Sequence, residues 1–222
     1  MIPILAAMLD CLLAPVNASA ARRAGVPRRI EASGVALSFD DGPHPEGTPA
    51  ILELLAQAGC RATFFLVGEQ VERRPALARR IVAAGHRAEL HAFSHRLQPR
   101  LGARAVAEDI RRGRAAIEDA TGRPVEWHRP PYGIYSRAGL RAVRAEALRP
   151  LLWSRWGKDW RRLTTPERIA RRALHEIGPG DVILLHDADF YSSRGSHRRT
   201  VEAVPAILAE LKQLGLDTVL PV

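Results

Sequence analysis

Short apolar runs alternate with amphipathic stretches along most of the chain, at a spacing of roughly 30 residues. Val35–Phe39 reads as a strand, and Pro49–Ala58 as a helix stopped by Gly59. Ala62–Val67 (ATFFLV) is a second strand, followed by a Pro75–Ala84 helix ending at Gly85. Arg87–Ala92 gives a weaker strand and Ala105–Ala120 a long amphipathic helix closed by Gly122. Beyond it come a strand at Glu126–Arg129, a helix at Arg137–Ala147 and a strand at Leu151–Ser154. The Thr165–Ile177 helix carries Pro166 in its first turn, with Thr164 or Thr165 as N-cap. Strand Val182–His186, helix Val201–Leu214 and a last strand at Thr218–Leu220 complete the pattern. Such strand–helix units predict an α/β fold with a parallel sheet and helices outside it. An open doubly wound sheet and a closed barrel fit the period equally. No Pro- or Ser-rich linker interrupts it, so one domain over residues 31–222 is expected after an apolar segment at 1–30.

That segment, MIPILAAMLDCLLAPVNASAARR, ends its apolar run at Ala18-Ser19-Ala20, as a secretory signal does at its cleavage site. No basic residue precedes the run, and Asp10 interrupts it. A helix packed on the domain is the favoured expectation, with a cytoplasmic location; a signal or anchor is the alternative. The run is too short for a stable membrane span.

Composition changes little in this picture. With 46% apolar residues, 222 residues can bury a sizeable core. The net charge of +9 suggests an anionic partner, yet only Lys158 and Lys212 among the 33 basic residues are lysine. Arg104, Arg111, Arg112 and Arg114 are interleaved with Glu108, Asp109, Glu118 and Asp119, the pattern of a solvated helix face. No nucleic-acid-binding motif is present, and no nucleic-acid partner is expected. Cys11 and Cys60 are too few and too far apart for a disulfide framework or a zinc knuckle.

In a parallel α/β sheet, reactive residues gather at the C-terminal ends of the strands. Five clusters fall there: Asp40-Asp41, His91 with His95, Arg129, Asp159, and His186-Asp187. In ALSFDDGPHPEG, residues 36–47, two adjacent carboxylates close a buried strand, an arrangement that is costly unless a cation sits nearby. In HAFSH, residues 91–95, two imidazoles lie four apart, and on a helical turn they share one face. A carboxylate from Asp40 or Asp41 completes a His₂–carboxylate set, the ligand set of hydrolytic zinc sites with an open position for water. One aspartate would then hold the cation, and the other would face the water as a base.

The segments LSFDDGPHPEGTP, GHRAELHAFSH, RPPYG, WGKDW and ILLHD, in this order, resemble the five motifs of the polysaccharide deacetylase family, the NodB-homology domains of carbohydrate esterase family four. The resemblance runs from about Val35 to Val222. It implies a distorted (β/α)₇ barrel and one divalent metal ion, usually Zn²⁺, with Co²⁺ or Ni²⁺ as alternatives. It also implies removal of N-acetyl groups from N-acetylglucosamine-type sugars. On the matching positions, Asp40 is the catalytic base, and Asp41, His91 and His95 are the metal ligands. Arg129 orients the base, His186 is the general acid, and Asp159 raises the pKa of His186. The backbone N–H of Tyr132 stabilises the oxyanion, and Leu184 and Trp160 receive the acetyl methyl. Pro130 and Trp156 join the substrate-binding set.

Some positions depart from the family pattern. Ala92 stands where Ser or Thr is usual, removing a loop hydrogen bond. Glu89 and Leu90 replace a small residue and an asparagine, and Trp156 replaces an aspartate, which reshapes the groove. A small or lipid-linked acetamido sugar is an alternative substrate, and an inactive sugar-binding protein is an alternative from another class. His44, His86, His128 and His175 are expected to be structural or solvated. The 187–200 loop borders His186, and its Arg194, His197, Arg198 and Arg199 are either an anion site or a solvated helix entry. Oligomeric state stays open.

Overall fold

All five side chains of strand β1 (Ala36–Asp40) are buried, as befits a strand covered on both faces. The computed structural model describes residues 18–222; of the N-terminal apolar segment, residues 1–17 lie outside them. Its last part forms a short helix, α1 (Ala18–Arg23), which buries Ala21. The remaining strands are β2 (Thr63–Leu66), β3 (Arg87–Leu90), β4 (Trp127–His128), β5 (Arg149–Pro150), β6 (Arg155–Trp156) and β7 (Val182–His186). They form one sheet in the order β5-β4-β3-β2-β1-β7-β6, with every pairing parallel. The seven strands curl into a half-barrel, the distorted (β/α)₇ architecture that the motifs imply. Helices α2 (Gly47–Gln57), α3 (Gly68–Arg73), α4 (Pro75–Ala83), α5 (Ala103–Thr121), α6 (Arg137–Ala145), α7 (Pro166–Ala173) and α8 (Ser196–Gln213) connect them. Among the described residues, no helix is long and apolar enough to cross a membrane.

Three local expectations need correction. The strand expected at Leu151–Ser154 is instead the link between the two short edge strands β5 and β6. Its start bonds to β4 (Leu151 N to His128 O, 3.0 Å), and its end bonds to β7 (Ser154 N to Val182 O, 3.1 Å). The two edge strands β5 and β6 are thus successive parts of one stretch that spans the mouth of the curl. The expected last strand is only a single bridge between Val35 and Thr218. Helix α3 was not anticipated from the apolar period, and α8 begins at Ser196, ahead of the expected Val201.

The departure at Glu89 has a structural account. Strands β3 and β4 share one register pair, Leu90 with His128. Just before it, the buried Glu89 carboxylate accepts the N–H groups of Glu126 and Trp127 at 2.9 and 2.8 Å, and Arg87 pairs with it at 3.2 Å. A side chain replaces ladder bonds that the backbone does not make. On the outer faces, Arg111–Glu108 (3.0 Å) and Arg114–Glu118 (2.9 Å) pair along α5, and Arg112 reaches Glu72 at 3.3 Å. These arginines lie on solvated helix faces.

Candidate metal and catalytic site

Register brings the loaded residues together. Asp40 at the end of β1 is the Cα partner of His186 at the end of β7. His91 and Arg129 directly follow Leu90 and His128, the paired ends of β3 and β4. Residues far apart in sequence therefore meet on one rim.

His91 and His95 do not share a helix face. The 91–95 segment is a loop, and Ala92 at its turn adopts φ +68°. Asp41 (φ +81°) and Tyr132 (φ +60°) are also left-handed, so three of the six such non-glycine residues among those described surround this site. Each costs of order 1–3 kcal/mol, which the packing around it must offset. Asp109 on α5 holds the loop: its carboxylate accepts the N–H groups of Phe93 (3.1 Å) and Ser94 (3.2 Å) and the Ser94 hydroxyl, and pairs with Arg96 at 3.2 Å. Gly113 lets α5 come this close; a Cβ there would lie 2.8 Å from the Ala92 carbonyl carbon and the Phe93 nitrogen. Asp109 was read from sequence only as part of a charged helix face. Its i, i+3/i+4 spacing from other charges concealed an inward-facing carboxylate.

The Asp41 Oδ1 lies 3.5 Å from His91 Nε2 and 3.1 Å from His95 Nε2. Asp41 and His91 are buried, and the His95 side chain is 5% exposed. His91 Nδ1 donates to the Arg129 carbonyl at 2.8 Å, so its Nε2 turns a lone pair toward the Asp41 carboxylate. Burial keeps His91 neutral by driving its pKa well down, with the charge of His95 adding to that effect. Burial opposes ionisation of Asp41, but the close approach of His95 and the other nearby histidines holds its pKa down at about 2. Asp41 Oδ1 is buried and makes no well-formed hydrogen bond. A lone pair facing an orphaned anionic oxygen is repulsive without a cation between them. The donor set thus fits a divalent ion held by Asp41, His91 and His95.

Beside this group, Asp40 is fully buried against Arg129, with Arg129 Nη1 2.7 Å from Asp40 Oδ1. Arg129 also donates to Ser38 Oγ (2.9 Å) and to the carbonyls of Leu151 (3.2 Å) and Leu152 (3.1 Å), and its guanidinium lies 3.9 Å over the Phe65 ring. Burial raises the Asp40 pKa to about 6 against the pull of Arg129. On the other side, His186 Nδ1 donates to Asp159 Oδ1 at 2.9 Å. Asp159 Oδ2 accepts the His186 N–H (2.7 Å) and the Thr200 hydroxyl (2.8 Å). Burial would lower the His186 pKa, but Asp159 reverses this and carries it to about 10.

These side chains open into a cavity of about 260 Å³ lined by Asp40, Asp41, His91, His95, Tyr132 and His186, with Trp153, Trp156, Trp160, Leu184 and Tyr191 as its apolar and aromatic walls. More voluminous depressions occur elsewhere, one between α2 and α8, but Asp40, Asp41, His91, His95 and His186 converge in this one. Pro130, expected in the substrate set, is buried behind the wall and opens the 3₁₀ turn that presents Tyr132. Trp153 is 5% exposed and joins Trp156 and Trp160 in one chain of rings, at centroid distances of 5.7 and 5.4 Å. His44, His86 and His128 are buried and His175 is exposed. Sequence reasoning left Tyr191 inside a loop of unassigned role; its position five residues after His186 was the available signal.

Three of the four basic side chains considered for an anion site are engaged within the protein. Arg198 pairs with Glu46 (3.0 Å), Arg199 donates to Ser193 and to the Arg161 carbonyl, and His197 is buried beside Asp189.

A parallel half-barrel whose rim joins a His₂–Asp group to a buried Asp–Arg pair and a His–Asp pair belongs to the class of metal-dependent hydrolases. The polysaccharide deacetylase profile matches residues 28–150, more than half of the sequence, and the chain belongs to this family. A chitooligosaccharide deacetylase of Azorhizobium caulinodans is 34% identical over 191 residues, which cover 82% of this chain and 90% of that protein. The Bc1960 peptidoglycan N-acetylglucosamine deacetylase superposes with a TM-score of 0.83 at 29% identity, covering 91% of this chain and 94% of the other. A carbohydrate esterase family four pseudoenzyme of Bacillus anthracis superposes with a TM-score of 0.77 at 26% identity; the match covers 86% of this chain and 65% of that one.

Proposed function

We propose that this carbohydrate de-N-acetylase removes acetyl groups from N-acetylglucosamine units of oligosaccharides or peptidoglycan-type chains. The observation that carries the reading is the juxtaposition, across one register pair, of a base candidate and an acid candidate beside a His₂–Asp group. Asp41, His91 and His95 would hold one divalent ion, with zinc favoured by two imidazoles and a carboxylate. The ion, when bound, supplies Lewis acidity toward the acetamide carbonyl and lowers the pKa of water.

The chain's own residues do the rest. Asp40, with Oδ1 engaged by Arg129, takes the proton of the attacking water on Oδ2. The backbone N–H of Tyr132, aimed by its left-handed turn, donates to the developing oxyanion. His186 protonates the departing amine, and Asp159 keeps its other nitrogen protonated and its ring fixed. Leu184, Trp160 and Trp156 enclose the acetyl methyl and exclude water from it. A cavity of about 260 Å³ admits one acetamido sugar, with neighbouring units lying along the open rim. The pseudoenzyme relative shows that the fold can lose its chemistry. Here a candidate for the base, the acid and each of the three ligands is in place, which favours the active reading.

Between pH 6 and 10 Asp40 is ionised while His186 is protonated, the two forms that the reaction needs. A bell-shaped kcat/KM profile with limbs near those values is expected. In Asp159→Asn the group that raises His186 is gone and burial prevails, so the alkaline limb moves down by about two pH units or more. An unmoved alkaline limb would assign it to another group.

The deciding assay is acetate release by metal-reconstituted protein from N-acetylated monosaccharides, chito-oligomers, peptidoglycan fragments and carrier-linked sugars. Release from at least one N-acetylglucosamine substrate, abolished by a chelator, is the expected result. No release from any member of the panel would return the chain to the pseudoenzyme class.

A further inference from the structure

The two imidazoles of the ligand group are held in different ways. His91 has the usual outer partner of a metal-binding histidine, a carbonyl on its far nitrogen. His95 has none: its Nδ1 is buried without a hydrogen-bond partner. What fixes the His95 ring is aromatic packing. Tyr191 lies parallel to it, with centroids 4.1 Å apart and planes 7° apart, and Tyr132 meets it edge-on at 4.6 Å.

The Tyr191 ring is itself pinned. Its hydroxyl donates to Glu69 Oε1 at 2.6 Å and accepts from Gln70 Nε2 at 3.0 Å. Those residues open helix α3, whose Gly68 and Glu69 N–H groups bond the carbonyls of Ala92 and Phe93 in the ligand loop. The ring of Tyr191 and the loop that carries His95 are therefore referenced to the same helix turn.

The loop that supplies Tyr191 is clamped at its base. Asp189 accepts the Gly195 N–H at 2.6 Å and lies 3.4 Å from both His44 Nε2 and His197 Nδ1. His44, Asp189 and His197 have the composition of a second metal group. The tautomer argues otherwise. His44 Nδ1 accepts the Gly47 N–H at 3.0 Å, which places the ring proton on Nε2, facing Asp189. A protonated Nε2 cannot be a ligand, so this cluster is a clamp. Ser193 adds a second tie, its hydroxyl donating to the Trp160 carbonyl at 2.7 Å.

We propose that Tyr191 is a positioning residue for the metal group: its ring substitutes for the missing hydrogen bond of His95 and sets the affinity of the site for its ion. The proposal rests on the reading of Asp41, His91 and His95 as ligands. Loss of an outer-shell partner costs metal sites about 10–100-fold in affinity, and Tyr191→Ala is expected to weaken Zn²⁺ binding by that factor. Tyr191→Phe keeps the ring and should stay within about threefold of wild type.

The test is competition for Zn²⁺ between full-length protein and a fluorescent chelator, with visible absorption of the Co²⁺ form as a second readout. Circular dichroism establishes folding, and Tyr191→Leu is read where the alanine variant does not fold. A weakened, spectrally altered site restored by Phe supports the proposal. A folded Tyr191→Ala or Tyr191→Leu protein with wild-type affinity and spectrum overturns it, while the ligand reading stands. Wild type binding no tighter than Asp41→Ala overturns the ligand reading and the proposal together.

Discussion

Asp40→Asn lowers kcat for acetate release by a factor on the order of 10²–10⁴, with KM changed little. The reason is positional. Asp40 is wholly buried, one oxygen is committed to Arg129, and its pKa of about 6 leaves it ionised at neutral pH yet basic enough to accept a proton. The amide variant has the same shape and can still accept from Arg129, but it cannot take a proton. The proposed ligands Asp41, His91 and His95 are untouched, so the variant is expected to bind the metal as wild type does, and equal metal content with lost turnover separates base chemistry from metal loss. Measured kcat equal to wild type at matched metal content would remove Asp40 from the base role.

Arg129→Met is expected to destabilise the fold by about 3–5 kcal/mol, read as a lower urea midpoint, because it strands a buried carboxylate. Arg129 crosses the inside of the curl. It pairs with Asp40 on β1 and, with its other nitrogens, bonds the Leu151 and Leu152 carbonyls in the stretch that joins edge strands β5 and β6. Losing it uncouples both. In the double variant Asp40→Asn/Arg129→Met the stranded charge is absent, so the combined loss is smaller than the sum of the single losses. Additive losses would mean that the 2.7 Å contact contributes nothing as an ion pair.

The two expectations differ in how visible they were. Asp40 was marked by its sequence setting, since a strand of apolar residues does not end in paired carboxylates without a use for them. Arg129 was marked only by its place after a strand and by the family motif. That it is the largest fully buried side chain among the described residues, with four hydrogen-bonding partners, depends on which strands flank β4 and on the course of the 149–156 stretch. No periodicity contains that information.

Other details were lost for similar reasons. The His91–His95 spacing suggested a helix face, yet the two imidazoles come from a loop held by Asp109. Spacing limits reach, but it does not choose between conformations with equal reach. The packing of Tyr191 on His95 was not legible, because the 95 intervening residues carry no local signal. The carboxylate at Glu89 read as an oddity until its two N–H partners were placed.

By itself the sequence determined the alternation of strands and helices, the parallel α/β class, and the set of residues able to do acid, base and ligand chemistry. These follow from hydrophobic period and from residue type at strand ends, both of which are local. Tertiary structure alone decided the register that sets Asp40 beside His186, the burial that raises the pKa of Asp40, and the ion pair that raises that of His186. It also decided which aromatic ring supports His95. Those are properties of distance and dielectric between segments remote in sequence, and they exist only once the chain has closed on itself.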